Sequence, residues 1–162
     1  MSQPAAIDGL AFARNALRAS GSLGLDSMPR LAQSRCSDSA LDFVLRGEIN
    51  QRGKPMLRLA VEGNVRLECQ RCLDILDFPL RFEVQLELAA SEAEIAAAEE
   101  EDDVDCILAD REMSVAALVE DEVLLALPMV PKHERCEPAW ASVARAEPTS
   151  FQRLEVLRGL NK

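Results

Sequence analysis

Apolar and polar residues alternate over the middle of the chain, and a period of two predicts β-strands. The apolar positions are odd-numbered from residue 41 to 49 and again from 57 to 67, and they are even-numbered from residue 78 to 88. Alternation over runs this long is typical of antiparallel strands with one buried and one solvated face. We therefore predict a three-stranded antiparallel meander with strands at Leu41–Ile49, Pro55–Glu68 and Ile75–Leu88.

Residues 114–127 follow a helical pattern instead. Ser114 can cap the helix N-terminus and Pro128 ends the helix. The apolar residues on one face are expected to cover the sheet; they are Val115, Leu118, Val119, Val123 and Ala126. The Glu120-Asp121-Glu122 triplet interrupts this apolar arc, and its carboxylates could be solvated, paired with a sheet arginine, or functional.

The remaining segments have weaker patterns. We predict a short amphipathic helix at residues 7–18, a Gly- and Ser-rich loop at residues 20–39, a short strand at residues 104–108, and a short amphipathic helix at residues 151–160. With 162 residues, the chain has the size of one domain with one core. The prediction is thus a single α+β domain over residues 1–162: an antiparallel meander packed against one main helix, with additional terminal helical segments.

Charge is concentrated in one part of the chain. The net charge is −10, yet residues 91–122 alone contain 13 acidic and 1 basic side chains, and the rest is nearly balanced. Nucleic-acid binding is therefore neither supported nor excluded. For the acidic segment 91–105 we expect a mobile solvated loop or a short exposed helix. It could alternatively mimic nucleic-acid charge or keep a basic partner soluble.

Two properties indicate the compartment. The chain has no apolar run of the roughly 18 to 20 residues that a membrane span needs, and its first residues lack the pattern of a signal peptide. We therefore expect a cytoplasmic protein without a membrane partner. In a reducing compartment the five cysteines are expected to be thiols or metal ligands and not disulfides.

Two pairs of residues have the spacing of metal ligands. Cys69 and Cys72 lie where the second strand must turn into the third, and His133 and Cys136 follow the main helix. Together they form a donor set suited to tetrahedral zinc, provided that the fold brings the pairs together. The alternatives are hairpin thiols beside a surface imidazole, or a redox pair. A redox pair is disfavoured because strands, and not a helix N-terminus, flank the cysteines.

No catalytic constellation accompanies these cysteines. The sequence has no nucleophile elbow, P-loop or dinucleotide fingerprint, and the single histidine has no evident orienting partner. We therefore predict a protein that is not an enzyme and has no small-molecule substrate.

Four arginines in or beside the meander could contact RNA or a partner: Arg58, Arg66, Arg71 and Arg81. The alternation places Arg58, Arg66 and Arg81 on the solvated face of the sheet. Glutamates share that face, so cross-strand ion pairs are the favoured use of these arginines. Base stacking is disfavoured because the sequence has no tyrosine and its central phenylalanines are needed for the core.

Two segments, LECQRCLDILDFPL at residues 67–80 and LVEDEVLLALPMVPKHERCE at residues 118–137, resemble the YceD family of large ribosomal RNA subunit accumulation proteins. The closing FQRLEVL at residues 151–157 is also similar to the family. Besides the four Cys and His residues, the matching positions are Glu120, Asp121, Glu122, Pro128 and Pro131.

The resemblance implies a non-catalytic role in the synthesis, processing or stability of 23S rRNA during large-subunit biogenesis. The implied partners are 23S rRNA or pre-50S particles, contacted directly or through a basic ribosomal protein or assembly factor. The alternative is a zinc- or thiol-dependent regulatory module unrelated to ribosomes.

Overall fold

A computed structural model describes residues 5–98 and 105–144. Its elements in chain order are β1 (Ala6–Ile7), α1 (Gly9–Arg14), β2 (Arg18–Gly24), a 3-10 turn (Leu25–Ser27), α2 (Pro29–Gln33), β3 (Cys36–Ile49), β4 (Pro55–Glu68), β5 (Ile75–Ala89), α3 (Glu92–Ala98), β6 (Cys106–Leu108), β7 (Met113–Ser114), α4 (Val115–Ala126) and α5 (Ala139–Ala144). The protein is α+β, as predicted.

The main sheet has five strands in the order β2-β3-β4-β5-β6. Neighbours are antiparallel from β2 to β5, whereas β6 runs parallel to β5. The predicted meander is therefore confirmed as β3, β4 and β5. The register aligns the apolar positions, with Val61 of β4 opposite Phe43 of β3 and Phe82 of β5. Strands β1 and β7 form a separate two-stranded antiparallel sheet.

One face of the main sheet carries the hydrophobic core. Most odd-numbered apolar residues of β3 and β4 are buried there together with side chains of α1, α2 and α4; they are Leu41, Phe43, Leu45, Leu57, Leu59, Val61, Val65 and Leu67. Ile49, at the end of β3, is exposed instead. Gly47 of β3 allows α1 to approach closely, because a Cβ at this position would lie 2.3 Å from the carbonyl oxygen of Phe12. The even-numbered residues of β3 and β4 and the odd-numbered residues of β5 point mostly to the opposite face, which carries most of the charged side chains of the sheet.

The predicted main helix is confirmed as α4. The Ser114 hydroxyl accepts a hydrogen bond from the Ala117 amide at 3.2 Å, and the helix ends just before Leu127 and Pro128. Four of the predicted core residues are buried: Val115, Leu118, Val119 and Val123. The fifth, Ala126, is exposed, whereas Glu120 and Glu122 are buried.

The N-terminal predictions were partly wrong. The helix predicted at residues 7–18 is limited to α1, which Asp8 caps, and Arg18 already belongs to β2. The loop predicted at residues 20–39 contains most of β2, all of α2 and the start of β3. Glycine and serine hide the strand pattern in β2, yet Leu23 of β2 and Met28 and Leu31 around α2 are buried in the core.

Three further predictions concern the acidic segment and the C-terminus. The acidic segment contains an exposed short helix, α3, and residues 99–104 lie outside the described residues. The strand predicted at residues 104–108 is observed as β6 over Cys106–Leu108; Asp105 precedes the strand, and Val104 lies outside the described residues. The helix predicted at residues 151–160 falls outside the described residues as well. Among the helices of the described part, none is both long and apolar enough to cross a membrane.

Candidate metal centre

The turn between β4 and β5 brings Cys69 and Cys72 together. The Leu73 amide donates to the Cys69 carbonyl at 2.9 Å, and the Cys69 amide donates to the Asp74 carbonyl at 2.9 Å. Leu73 adopts a positive φ of 67°, a conformation that a leucine rarely adopts and that a tight turn can impose. Both cysteine side chains therefore belong to one compact turn, as their spacing predicted.

The second pair reaches this turn because the chain after α4 binds to it along its backbone. The Gln70 amide donates to the Pro131 carbonyl at 2.8 Å. The Ala139 amide donates to the Arg71 carbonyl at 2.9 Å. These two contacts lie on either side of His133 and Cys136 in sequence, so both residues lie against the turn.

The four predicted ligands form one cluster. Their sulfur and ring-nitrogen atoms all lie within 4.8 Å of one another. The Cys69 and Cys136 sulfurs are 3.8 Å apart, and the Cys72 sulfur is 3.3 Å from His133 Nδ1. No other group of at least three potential metal ligands occurs in the described part of the chain. The cluster is therefore a site that could hold a metal ion.

The donor set fits a tetrahedral metal ion. Zinc–sulfur bonds of about 2.3 Å in tetrahedral geometry place two sulfurs about 3.8 Å apart. The Cys69–Cys136 distance has this value. Three thiols and one imidazole are also the soft donors that structural zinc sites use.

The ring of His133 is oriented by the backbone. Its Nε2 lies 3.1 Å from the carbonyl oxygen of Ile75, and a carbonyl can only accept a hydrogen bond. Nε2 therefore carries the proton, and in the neutral ring the lone pair lies on Nδ1, next to the Cys72 sulfur. A hydrogen bond from the remote ring nitrogen is typical of metal-binding histidines.

Backbone amides stabilise the thiolate of Cys69. This side chain is fully buried, which opposes ionisation. Hydrogen bonds from the amides of Cys72, Arg71 and His133 outweigh burial and lower the pKa of Cys69 to about 5. Because metals bind the thiolate, these amides prepare Cys69 as a ligand.

The pKa of Cys72 is shifted in the opposite direction. The amide of Asp74 favours its thiolate, but burial and the neighbouring Cys69 and Cys136 sulfurs oppose it and raise the pKa of Cys72 to about 11. The crowding of three sulfurs thus disfavours a third negative charge when no cation lies between them. A divalent cation would remove this repulsion.

Arg71 is the cationic neighbour of the cluster. Its Nε donates to the Cys136 sulfur at 2.9 Å, and a terminal nitrogen donates to the His133 carbonyl at 2.7 Å. The hydrogen bond to Cys136 raises the pKa of Arg71. Three thiolates around a divalent ion have a net charge of −1, and the guanidinium neutralises that charge.

The sequence profile of one protein family matches residues 57–158, and it is described as large ribosomal RNA subunit accumulation protein YceD. The chain belongs to the YceD family. The matched range contains all four residues of the cluster, the whole of β5 and α4, and all of β4 except its first two residues. No solved structure matches the chain significantly.

In this YceD-family chain the predicted RNA-contacting arginines make ion pairs on the open sheet face. Arg58 Nε donates to Glu48 at 2.6 Å and its NH1 to Glu83 at 2.8 Å. Arg66 Nε lies 3.2 Å from Asp77, and Arg81 Nε lies 3.9 Å from Glu62. The expected cross-strand ion pairs are confirmed, whereas RNA contact by these arginines and by Arg71 stays a prediction.

The Glu120-Asp121-Glu122 triplet divides into three environments. Glu120 is buried and accepts hydrogen bonds from the Arg30 and Leu31 amides at 2.6 and 3.0 Å and from Arg30 Nε at 2.9 Å. Asp121 is half exposed and pairs with Arg30. Glu122 is buried in the helix face that is turned away from solvent. Glu120 and Asp121 therefore bind α2 and not a sheet arginine.

The two family prolines shape the path from α4 to the cluster. Pro128 follows the last turn of α4, and the Pro131 carbonyl accepts the hydrogen bond from Gln70. We missed the role of Arg30 in sequence analysis because it lies in a segment that we predicted to be a loop. The signals for α2 were Pro29 at the first helical position and the apolar Leu31 that follows it.

Replacement of Glu120 by alanine should destabilise the fold by about 2–4 kcal/mol, since it leaves two amide donors and a guanidinium nitrogen without their acceptor. The matched variant Asp121→Ala removes an exposed partner of the same arginine and should cost less than about 1 kcal/mol. Urea unfolding of the two variants measures both losses. Equal losses would contradict the structural role assigned to Glu120.

The stability lost in Glu120→Ala is predicted to depend on pH. Burial opposes ionisation of Glu120, but its hydrogen bonds from Leu31 and Arg30 outweigh burial and lower its pKa below the ordinary 4.5. The ionised carboxylate therefore stabilises the fold above pH 4.5, and this contribution disappears as the pH falls through the lowered pKa. The difference in the free energy of unfolding between wild type and Glu120→Ala should therefore become smaller as the pH falls through that range, as measured by urea unfolding at a series of pH values.

Proposed function

We propose that the chain is a non-catalytic ribosome-biogenesis factor that supports the synthesis, processing or stability of 23S rRNA. The observation that carries this proposal is the family match over residues 57–158, because the family is described by the accumulation of large-subunit ribosomal RNA. In this proposal the protein works in the cytoplasm on 23S rRNA or pre-50S particles. It needs neither a membrane nor a small-molecule substrate.

We also propose that the cluster of Cys69, Cys72, His133 and Cys136 binds one Zn²⁺ as a structural site. The support is the donor set, the 4.8 Å spread of the ligand atoms, the orientation of His133 and the charge of Arg71. All four tetrahedral positions are filled by protein atoms, so no coordination position is left for a water nucleophile. When bound, Zn²⁺ supplies a cross-link between the β4–β5 turn and the segment after α4.

Protein purified without chelator should contain about one zinc per chain by elemental analysis. Cys72→Ser and Cys136→Ser should each reduce the zinc content strongly, because each removes one of four ligands from a shared site. Cys106→Ser is the matched control, since Cys106 lies in β6 outside the cluster. Full zinc content in Cys136→Ser would show that the two pairs do not share an ion.

We propose that the chain contacts pre-50S particles mainly through one of their proteins. The open-face arginines are already paired with carboxylates, and these carboxylates compete with RNA phosphates for them. The chain has a net charge of −10, which favours a basic ribosomal protein or assembly factor as the partner. The arginine face would then add weak, salt-sensitive RNA contacts.

Deletion of the gene should lower the amount of large subunits relative to small subunits, as measured by sedimentation of cell extracts. A tagged copy of the chain should recover particles that contain 23S rRNA. Unchanged subunit amounts together with recovery of no large-subunit component would contradict the ribosomal role. Recovery that persists after nuclease treatment supports a contact through protein.

The thiol cluster favours one alternative, a zinc- or thiol-dependent regulatory module unrelated to ribosomes. Full burial of Cys69 speaks against its use as a reactive thiol, because reactive cysteines need to be accessible. Zinc binding by the purified chain, together with normal subunit amounts in the deletion strain, would favour this alternative as a metal-dependent module.

A further inference from the structure

An apolar groove lies between α4 and β6. It has a volume of about 550 Å³ and is lined mainly by aliphatic side chains, among them Ile107, Met113, Leu118, Leu124 and Leu125. Leu125 is 79% exposed and Leu108, at the end of β6, is 47% exposed. Two of its lining residues, Ala117 and Asp121, also contact Arg30 of α2, and none of its lining residues belongs to the candidate metal centre.

Glu122 lies in the wall of this groove and is only 9% exposed. Within the described residues its carboxylate makes no hydrogen bond and no ion pair. Glu120, two residues earlier on the same helix, has three donors around it. A carboxylate with so little solvent contact and no partner is costly to ionise, so a cation that reaches Glu122 through the groove would gain an ion pair there.

The surroundings of Glu122 are also acidic. Asp121 lies at the rim of the groove, and Asp105 precedes β6. Burial together with these two carboxylates raises the pKa of Glu122. No lysine or arginine is among the described residues that line the groove, although Arg30 pairs with Asp121 at its rim. Helix α3, which contacts β6, adds Glu92 and Glu94. The charge of the site therefore complements a basic ligand and repels nucleic acid.

We propose that the groove binds a segment of a basic partner protein whose aliphatic side chains cover the groove and whose lysine or arginine pairs with Glu122. The groove supplies both halves of this recognition: exposed leucines for the apolar side chains and an unpaired buried carboxylate for the cation. The acidic surface around it raises the rate of encounter with a basic protein. The identity of the partner as a large-subunit protein rests on the proposed function, whereas the chemistry of the groove does not.

Overlapping synthetic peptides that cover basic large-subunit ribosomal proteins are the direct probe, with peptides from unrelated basic proteins alongside. The full-length chain should bind peptides that combine lysine or arginine with aliphatic residues. Fluorescence anisotropy of the best peptide should show affinity reduced about tenfold or more by Glu122→Gln and by Leu125→Ser. Glu122→Gln removes only the charge, so the variant is expected to fold.

Two control variants match these changes. Glu62→Gln removes a carboxylate from the open sheet face, and Leu17→Ser removes an exposed leucine between α1 and β2. Both should bind the peptide as wild type does. Equal affinity of Glu122→Gln and wild type, or the absence of any bound peptide, would overturn the proposal.

Two further outcomes identify the occupant. Binding that appears only after removal of residues 145–162 would show that the C-terminus of this chain fills the groove, and that result overturns an external partner. Glu122-dependent binding confined to the unrelated basic peptides would support the groove and count against the ribosomal role. Glu122-dependent binding of large-subunit peptides supports both the binding role of the groove and the ribosomal role of the chain.

Discussion

The return of the chain from the end of α4 to the β4–β5 turn is the constraint on which the candidate metal centre depends. The turn supplies only two donors, and four are needed to close a tetrahedral site. The other two are separated from Cys72 by 60 intervening residues, so the fold has to bring them to the turn. Helix α4, with 12 residues and a length of about 18 Å, crosses the sheet in that direction.

Several separate interactions fix the direction of α4. Its N-terminus is capped by Ser114, its apolar face is buried against the sheet, and Glu120 binds it to α2. Beyond Pro128 the backbone bonds of Gln70 and Arg71 then hold the following segment in place. The metal centre is therefore the end point of the packing of α4 and not an isolated loop structure.

The charges of α4 are divided between folding and recognition. Glu120 is fully satisfied and stabilises the contact between two helices, whereas Glu122 is buried with no partner in the described residues. Helix α3 contacts β6, which lines the same groove as Glu122. Under the proposed function, a chain with a net charge of −10 would take part in ribosome assembly by contacting basic proteins.

Much of the fold and of the candidate metal centre could be predicted from the sequence. Alternating apolar residues predicted β3, β4 and β5, and the spacing of the cysteines and the single histidine predicted which four side chains form the cluster that could hold a metal ion. Strand β2 was missed because Gly21, Ser22 and Gly24 carry no apolar signal and their pairing with β3 is a long-range property. Helix α2 was missed because its five residues are too few to show a helical period. The contact of Arg71 with Cys136 was also inaccessible, since local sequence does not report which distant residue a side chain meets.

Zinc K-edge X-ray absorption of the purified chain tests the convergence of the two segments most directly. Three sulfur ligands at about 2.3 Å and one nitrogen ligand at about 2.0–2.1 Å are predicted. A first coordination shell dominated by nitrogen and oxygen, or one with two sulfurs and no imidazole, would contradict a shared site of Cys69, Cys72, His133 and Cys136.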